Sequence, residues 1–68
     1  MNKNEIIQAY TLVNNFVKDN YANYEIYLKR IVDNTIEVSL KLKESRIKRP
    51  TLFLNFKYEN NKLTQISP

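Results

Sequence analysis

Residues 35–43 read TIEVSLKLK, and apolar and polar side chains alternate along the whole stretch. A period of two is typical of a β-strand with one buried and one open face. The apolar positions of this strand are Ile36, Val38, Leu40 and Leu42. The same alternation recurs further along the chain, at Leu52, Leu54, Phe56 and Tyr58. Two such strands predict a sheet whose inner face needs a covering layer.

Two weaker strand patterns flank this pair. Tyr24, Ile26 and Leu28 alternate with their neighbours, which places all three on the inner face. The pattern slips near Arg30, where we predict a β-bulge. A short last strand is predicted over residues 63–66.

The predicted connections are short and contain no glycine. They lie at residues 33–34, 44–50 and 59–62. Asparagine and aspartate tolerate left-handed backbone next best after glycine, so we expect them to form the tight turns. Because consecutive strands with short links tend to be neighbours, an antiparallel meander is expected.

The segment before the strands supplies the covering layer. From residue 4 to about residue 20 the apolar residues recur at helical spacing and fall within one arc. Its apolar members are Ile6, Ala9, Tyr10, Val13, Phe16 and Val17. Asn2 or Asn4 can cap the helix start. The prediction is a single α+β domain over residues 1–68, with one N-terminal amphipathic helix packed on a four-stranded antiparallel meander sheet (α-β-β-β-β).

The composition limits how such a domain is stabilised. The chain has 68 residues and neither cysteine nor histidine. Disulfides are excluded, and we expect no metal and no cofactor. Good packing or self-association has to compensate for the small size, which makes a homodimer one expected state. The beginning of the chain lacks the apolar core of a signal peptide, and no stretch reaches about 18 apolar residues. We therefore expect a cytoplasmic protein with no membrane partner.

The side-chain inventory argues against catalysis. Histidine and cysteine, the commonest general base and the best nucleophile, are missing. The seven acidic residues are scattered singly. Glu25 and Glu37 could meet across the first hairpin, although two solvated surface acids are the simpler interpretation. We predict that the protein is not an enzyme.

The net charge is concentrated in one segment. Residues 41–49 hold five cations and one acid, whereas the rest of the chain holds six of each, so the whole net charge of +4 lies there. The cations are Lys41, Lys43, Arg46, Lys48 and Arg49. Such a segment attracts anions, either nucleic-acid phosphates or an acidic protein surface. A plain solvated loop is the third interpretation.

The outward face of the predicted sheet carries two aromatic residues, Tyr27 and Phe53, among cations. They could anchor a protein interface or stack single-stranded bases, or they could be exposed without consequence.

Together these features predict a small protein-interaction module, such as an adaptor, an inhibitor or a regulator. Heavy use of Asn, Lys and Ile is common in AT-rich genomes, and phages or mobile elements are one source of such modules. The alternative is a nucleic-acid-binding domain that uses residues 41–49 and the aromatic face.

Overall fold

The computed structural model describes the main chain of residues 1–67 and the side chains of residues 1–66. One helix precedes four strands, which form a single antiparallel sheet in the order β1-β2-β3-β4. This confirms the predicted α+β meander. The elements are α1 (Lys3–Asn20), β1 (Tyr24–Val32), β2 (Thr35–Leu42), β3 (Leu52–Glu59) and β4 (Lys62–Ser67).

The helix α1 is bounded by hydrogen bonds at both ends. The Asn2 side chain accepts from the Glu5 amide at 2.9 Å, and the Glu5 carboxylate accepts from the Asn2 amide at 3.1 Å, which completes a capping box. At the other end the Tyr21 amide donates to the Val17 carbonyl at 2.8 Å. Three residues spaced one turn apart are buried on the sheet: Ala9, Val13 and Val17.

The core lies between α1 and the inner face of β2 and β3. The sheet contributes six of its nine fully buried residues, namely Ile36, Val38, Leu40, Leu54, Phe56 and Tyr58. Phe56 meets Phe16 edge to face, with ring centroids 5.1 Å apart. Within the described side chains, no polar or charged residue is buried. Hydrophobic burial is therefore the main source of stability.

One residue predicted for the core lies outside it. Leu42 is 36% exposed, because it is the last residue of β2 and its only register partner is Tyr24 on β1. The pairing with β3 begins two residues earlier, at Leu40 opposite Leu52. Leu42 therefore has no neighbouring strand on its second side.

The tight turns use asparagine and aspartate, as the lack of glycine predicts. Asp33 has φ 56°, and Asn60 and Asn61 have φ 51° and 61°. Two successive left-handed residues are the signature of a type I′ turn, whose twist matches that of the flanking strands. The β3–β4 hairpin is therefore closed by Asn60 and Asn61.

The bulge in β1 lies three residues earlier than predicted. Ile26 pairs with Leu40 and Leu28 pairs with Ser39, so Tyr27 is the extra residue. The predicted inner position of Leu28 is therefore wrong, and its side chain is 57% exposed on the outer face.

The earlier bulge also turns Lys29 toward the helix. Its ammonium lies 4.5 Å from the centre of the Tyr10 ring and 3.4 Å from Asn14 Oδ1. These contacts give the ammonium of the half-buried Lys29 favourable partners.

Candidate functional site

The outward face is the side of the sheet that α1 leaves uncovered. A row of three residues crosses its middle, since Leu28 pairs with Ser39 and Ser39 pairs with Phe53. We call these three the central row. Leu28 is 57% exposed and Phe53 is 56% exposed. The small Ser39 between them leaves a shallow depression of about 300 Å³.

Ion pairs flank the central row on both sides. Toward one end of the sheet, Lys41 Nζ lies 2.8 Å from Glu25 Oε1. Toward the other end, Arg30 donates to Glu37 Oε1 from Nε at 2.8 Å and from a terminal nitrogen at 2.6 Å. Each pair joins directly opposite positions of β1 and β2. The outward face is thus an apolar centre between two neutralised polar strips.

The pKa of Glu25 reflects the cations that lie near the Glu25–Lys41 ion pair. The hydrogen bond and charge of Lys41 hold the pKa of the Glu25 carboxyl below its ordinary value, and partial desolvation opposes this shift. The charges of Lys43 and Lys48 lower this pKa further. The basic segment therefore adjoins the Glu25 end of the outward face.

The predicted basic segment divides into two parts. Lys41 is a strand residue engaged with Glu25, and its side chain is only 19% exposed. The other four cations are exposed and make no ion pair within residues 1–67: Lys43, Arg46, Lys48 and Arg49. The loop that carries them is attached at both ends, by the Lys43 amide to the Asn23 carbonyl and the Thr51 amide to the Leu40 carbonyl.

The predicted site residues therefore fall into two groups, the exposed aromatic residues and the cations of the basic segment. Tyr27 and Phe53 are exposed as predicted, at 54% and 56%. Leu28, which was predicted to lie in the core, lies with Phe53 in the central row. Counting back from the two-residue turn at Asp33 would have paired Leu28 with the outward Ser39. The signal was present in the register of the hairpin.

The acidic residues Glu25 and Glu37 lie on opposite sides of the central row. Glu25 and Glu37 do not meet, because each pairs with a cation on its own side of the central row. Among the residues that the structure describes, no three histidine, cysteine, aspartate or glutamate side chains are grouped so that they could hold a metal ion.

Comparisons with family models, curated proteins and solved structures find no match for this chain. In the described part of the chain, no helix has the length and apolarity needed to cross a membrane.

Proposed function

We propose that this protein is a non-enzymatic protein-interaction module that binds through its outward face. The observation that carries the proposal is the central row, in which Leu28 and Phe53 are each more than half exposed on a sheet whose other face already forms the core. Tyr27 adds a third large apolar side chain at the bulge. Aromatic anchors inside a polar rim are typical of protein interfaces.

The charges of this face support a protein partner over a nucleic acid. A platform for single strands combines aromatic rings with cations that neutralise phosphates. The cations beside the central row already have partners, since Lys41 pairs with Glu25 and Arg30 pairs with Glu37. Lys57 Nζ also lies 3.6 Å from Glu59 Oε1. Lys62 on the edge strand β4, by contrast, is exposed and makes no ion pair among the described side chains. A partner that brings apolar area fits this face better than one that brings phosphates.

The protein would act by covering part of the partner's surface, as an adaptor, an inhibitor or a regulator does. Nothing in this role needs a catalytic group. The exposed cations of the adjoining loop would favour a partner whose surface is acidic beside the contact.

The test is capture from a lysate of the native host with wild-type protein and three variants. Phe53→Ser and Leu28→Ser change the central row, whereas Ile7→Ser changes a residue of α1 that is similarly exposed, at 56%. We expect a protein that wild type and Ile7→Ser retain and that both central-row variants lose. A captured protein retained equally by all four would contradict the use of this face. Circular dichroism checks that each variant is folded.

A second function is favoured by the loop itself. Arg46, Lys48 and Arg49 are exposed and make no ion pair among the described residues, so they are available to phosphates. A nucleic-acid binder should shift single- or double-stranded DNA or RNA at low salt and lose affinity steeply as salt rises. Reversing the three charges to glutamate should abolish the shift. Wild-type protein that gives no shift at low salt would exclude this function.

A further inference from the structure

The outward face has a charge pattern that is complementary to itself. Along β1 the sign changes from negative at Glu25 to positive at Arg30, and along β2 it changes from positive at Lys41 to negative at Glu37. The central row lies between the two ion pairs. On β2 the spacing is symmetric, because Ser39 is two residues from each charge, about 6.8 Å along the strand.

We propose that the partner of the outward face is a second copy of this chain, packed face to face about a two-fold axis that crosses the strands along the central row. Rotation about this axis reverses the strand direction. It places Glu25 opposite Arg30 of the second copy, and Lys41 opposite Glu37 of the second copy. The inference rests on the proposed function, since both use the outward face.

A two-fold axis that runs directly above β2, parallel to it, is disfavoured by the same charges. This axis would leave each residue of β2 opposite its own equivalent. Lys41 would then face Lys41 of the second copy, and Glu37 would face Glu37. Like charges brought together and desolvated disfavour an interface. An axis parallel to the strands but midway between β1 and β2 would also oppose unlike charges, yet it would place Phe53 on β3 beyond the edge strand β1 of the second copy. The charges and the central row together therefore favour the axis that crosses the strands.

The apolar side chains of the central row fit the selected arrangement. Phe53 meets Phe53 of the second copy, and Leu28 meets its own equivalent, while the depression above Ser39 leaves room for the rings to tilt. Two twisted sheets pack with their strands within about 30° of alignment and about 10 Å apart. The twist lifts the corners of the sheets away, so the central row and the two ion-paired strips make most of the contact.

The size of the face sets the expected strength of the dimer. Strands about 4.8 Å apart and about 27 Å long give a four-stranded face with a footprint of roughly 500 Å² per copy. A standard interface buries about 800 Å² on each partner. We therefore expect a weak dimer, with a dissociation constant in the micromolar range.

Sedimentation equilibrium of the full chain from about 10 µM to about 1 mM is the test. The pair-swapped variant carries Arg30→Glu with Glu37→Arg, which keeps the intramolecular ion pair and the net charge. In the dimer it would bring like charges together at both contacts. The restored variant adds Glu25→Lys with Lys41→Glu, which makes the opposing contacts complementary again.

We expect wild type to dimerise and the pair-swapped variant to raise the dissociation constant by at least about tenfold. The restored variant should return to within about threefold of wild type, a recovery that a merely structural role of these residues would not produce. Phe53→Ser should raise the constant by about tenfold or more without unfolding the monomer.

Wild-type protein that remains monomeric at the highest concentration would overturn the inference. A dimer whose dissociation constant the pair swap leaves unchanged would overturn it equally. If wild type is monomeric but lysate capture depends on Phe53, the outward face binds a different protein, and only the proposed function stands. If the swap and its restoration act as expected while capture finds no other protein, self-association is the function of the face.

Discussion

Phe53 and Phe56 lie on the same strand and have opposite environments. Phe56 is fully buried against α1, whereas Phe53 is 56% exposed on the outward face. The inner face needs its apolar residues, because hydrophobic burial supplies most of the stability of so small a domain. The outward face also carries large apolar residues, Leu28 and Phe53, that are not part of this core. The stability of the monomer does not require these residues, and the proposed contact with a partner would use them.

The largest expected difference between the two faces is in the free energy of unfolding. Phe56→Ala removes a fully buried ring and leaves a cavity, which costs about 3–5 kcal/mol. A domain of this length has a total stability of about 3–10 kcal/mol, so this variant should be largely unfolded in mild urea. Phe53→Ala should cost less than about 1 kcal/mol.

Urea denaturation followed by circular dichroism measures both values. Equal losses for the two variants would mean that Phe53 is also buried, either in the monomer or in a dimer that persists at the assay concentration. Repeating the comparison of wild type with Phe53→Ala at about 1 µM and about 100 µM protein separates these outcomes, because only a dimer makes the stability of wild type depend on concentration.

The next comparison concerns the two sides of the bulge in β1. Ile26 lies before the bulge and packs on the core, whereas Leu28 lies after it and faces outward. Ile26→Lys should destabilise the fold by about 2 kcal/mol, because it places a charge against apolar neighbours. Leu28→Lys should change the free energy of unfolding by less than about 0.5 kcal/mol. Denaturation of the two variants side by side measures the difference, and a reversed order would place the bulge elsewhere.

This bulge marks where prediction from the sequence stopped. The alternation in residues 35–43 and the helical stripe before it were sufficient to predict the element order, the meander and most of the core. Those features depend on local periodicity, which a single sequence contains. The bulge position depends instead on pairing between strands, on the Arg30–Glu37 ion pair and on the contacts of Lys29 with α1. Periodicity within β1 alone does not contain that information.

The candidate site was predictable to a similar extent. Exposure of Tyr27 and Phe53 followed from the alternation, and exposure of the loop cations followed from their position in a turn-rich segment. The ion pair between Lys41 and Glu25 did not follow from the alternation, because it depends on the register of β1 against β2. A one-residue change of register moves every outward side chain to the other face. The central row therefore became visible only once both bulge and register were known.

A smaller loss of stability is expected when the cap at the start of α1, the helix that covers the inner face, is removed. Asn2→Ala removes the side-chain acceptor of the capping box and should cost about 1 kcal/mol. Asn4→Ala is the matched control, since Asn4 lies inside the helix, is exposed and takes no part in the capping box of Asn2 and Glu5. Thermal unfolding by circular dichroism measures both variants. An equal effect of the two substitutions would contradict the assignment of Asn2 as the cap.

The smallest expected effect is the pH response of the outward face. Lys41 holds the pKa of Glu25 below its ordinary value of 4.5, so this contact stabilises the folded state when the carboxyl is ionised. A depressed folded-state pKa gives a contribution that is present above pH 4.5 and is lost as the pH falls through the lower folded value. Lys41→Met should raise the Glu25 pKa toward its ordinary value, because the hydrogen bond and the positive charge that lower it most are both removed. NMR titration of the Glu25 side-chain carboxyl measures the shift directly.

The matched control for this titration is Lys62→Met, which removes one positive charge from β4 and lies outside the groups that lower the Glu25 pKa. The control should leave the Glu25 titration unchanged. If both variants moved it equally, the pKa would report the overall positive charge of the protein instead of the Glu25–Lys41 contact. A response specific to Lys41 would show that the Glu25–Lys41 ion pair forms in solution. The face-to-face dimer requires both residues at this position beside the central row, where a second copy can contact them.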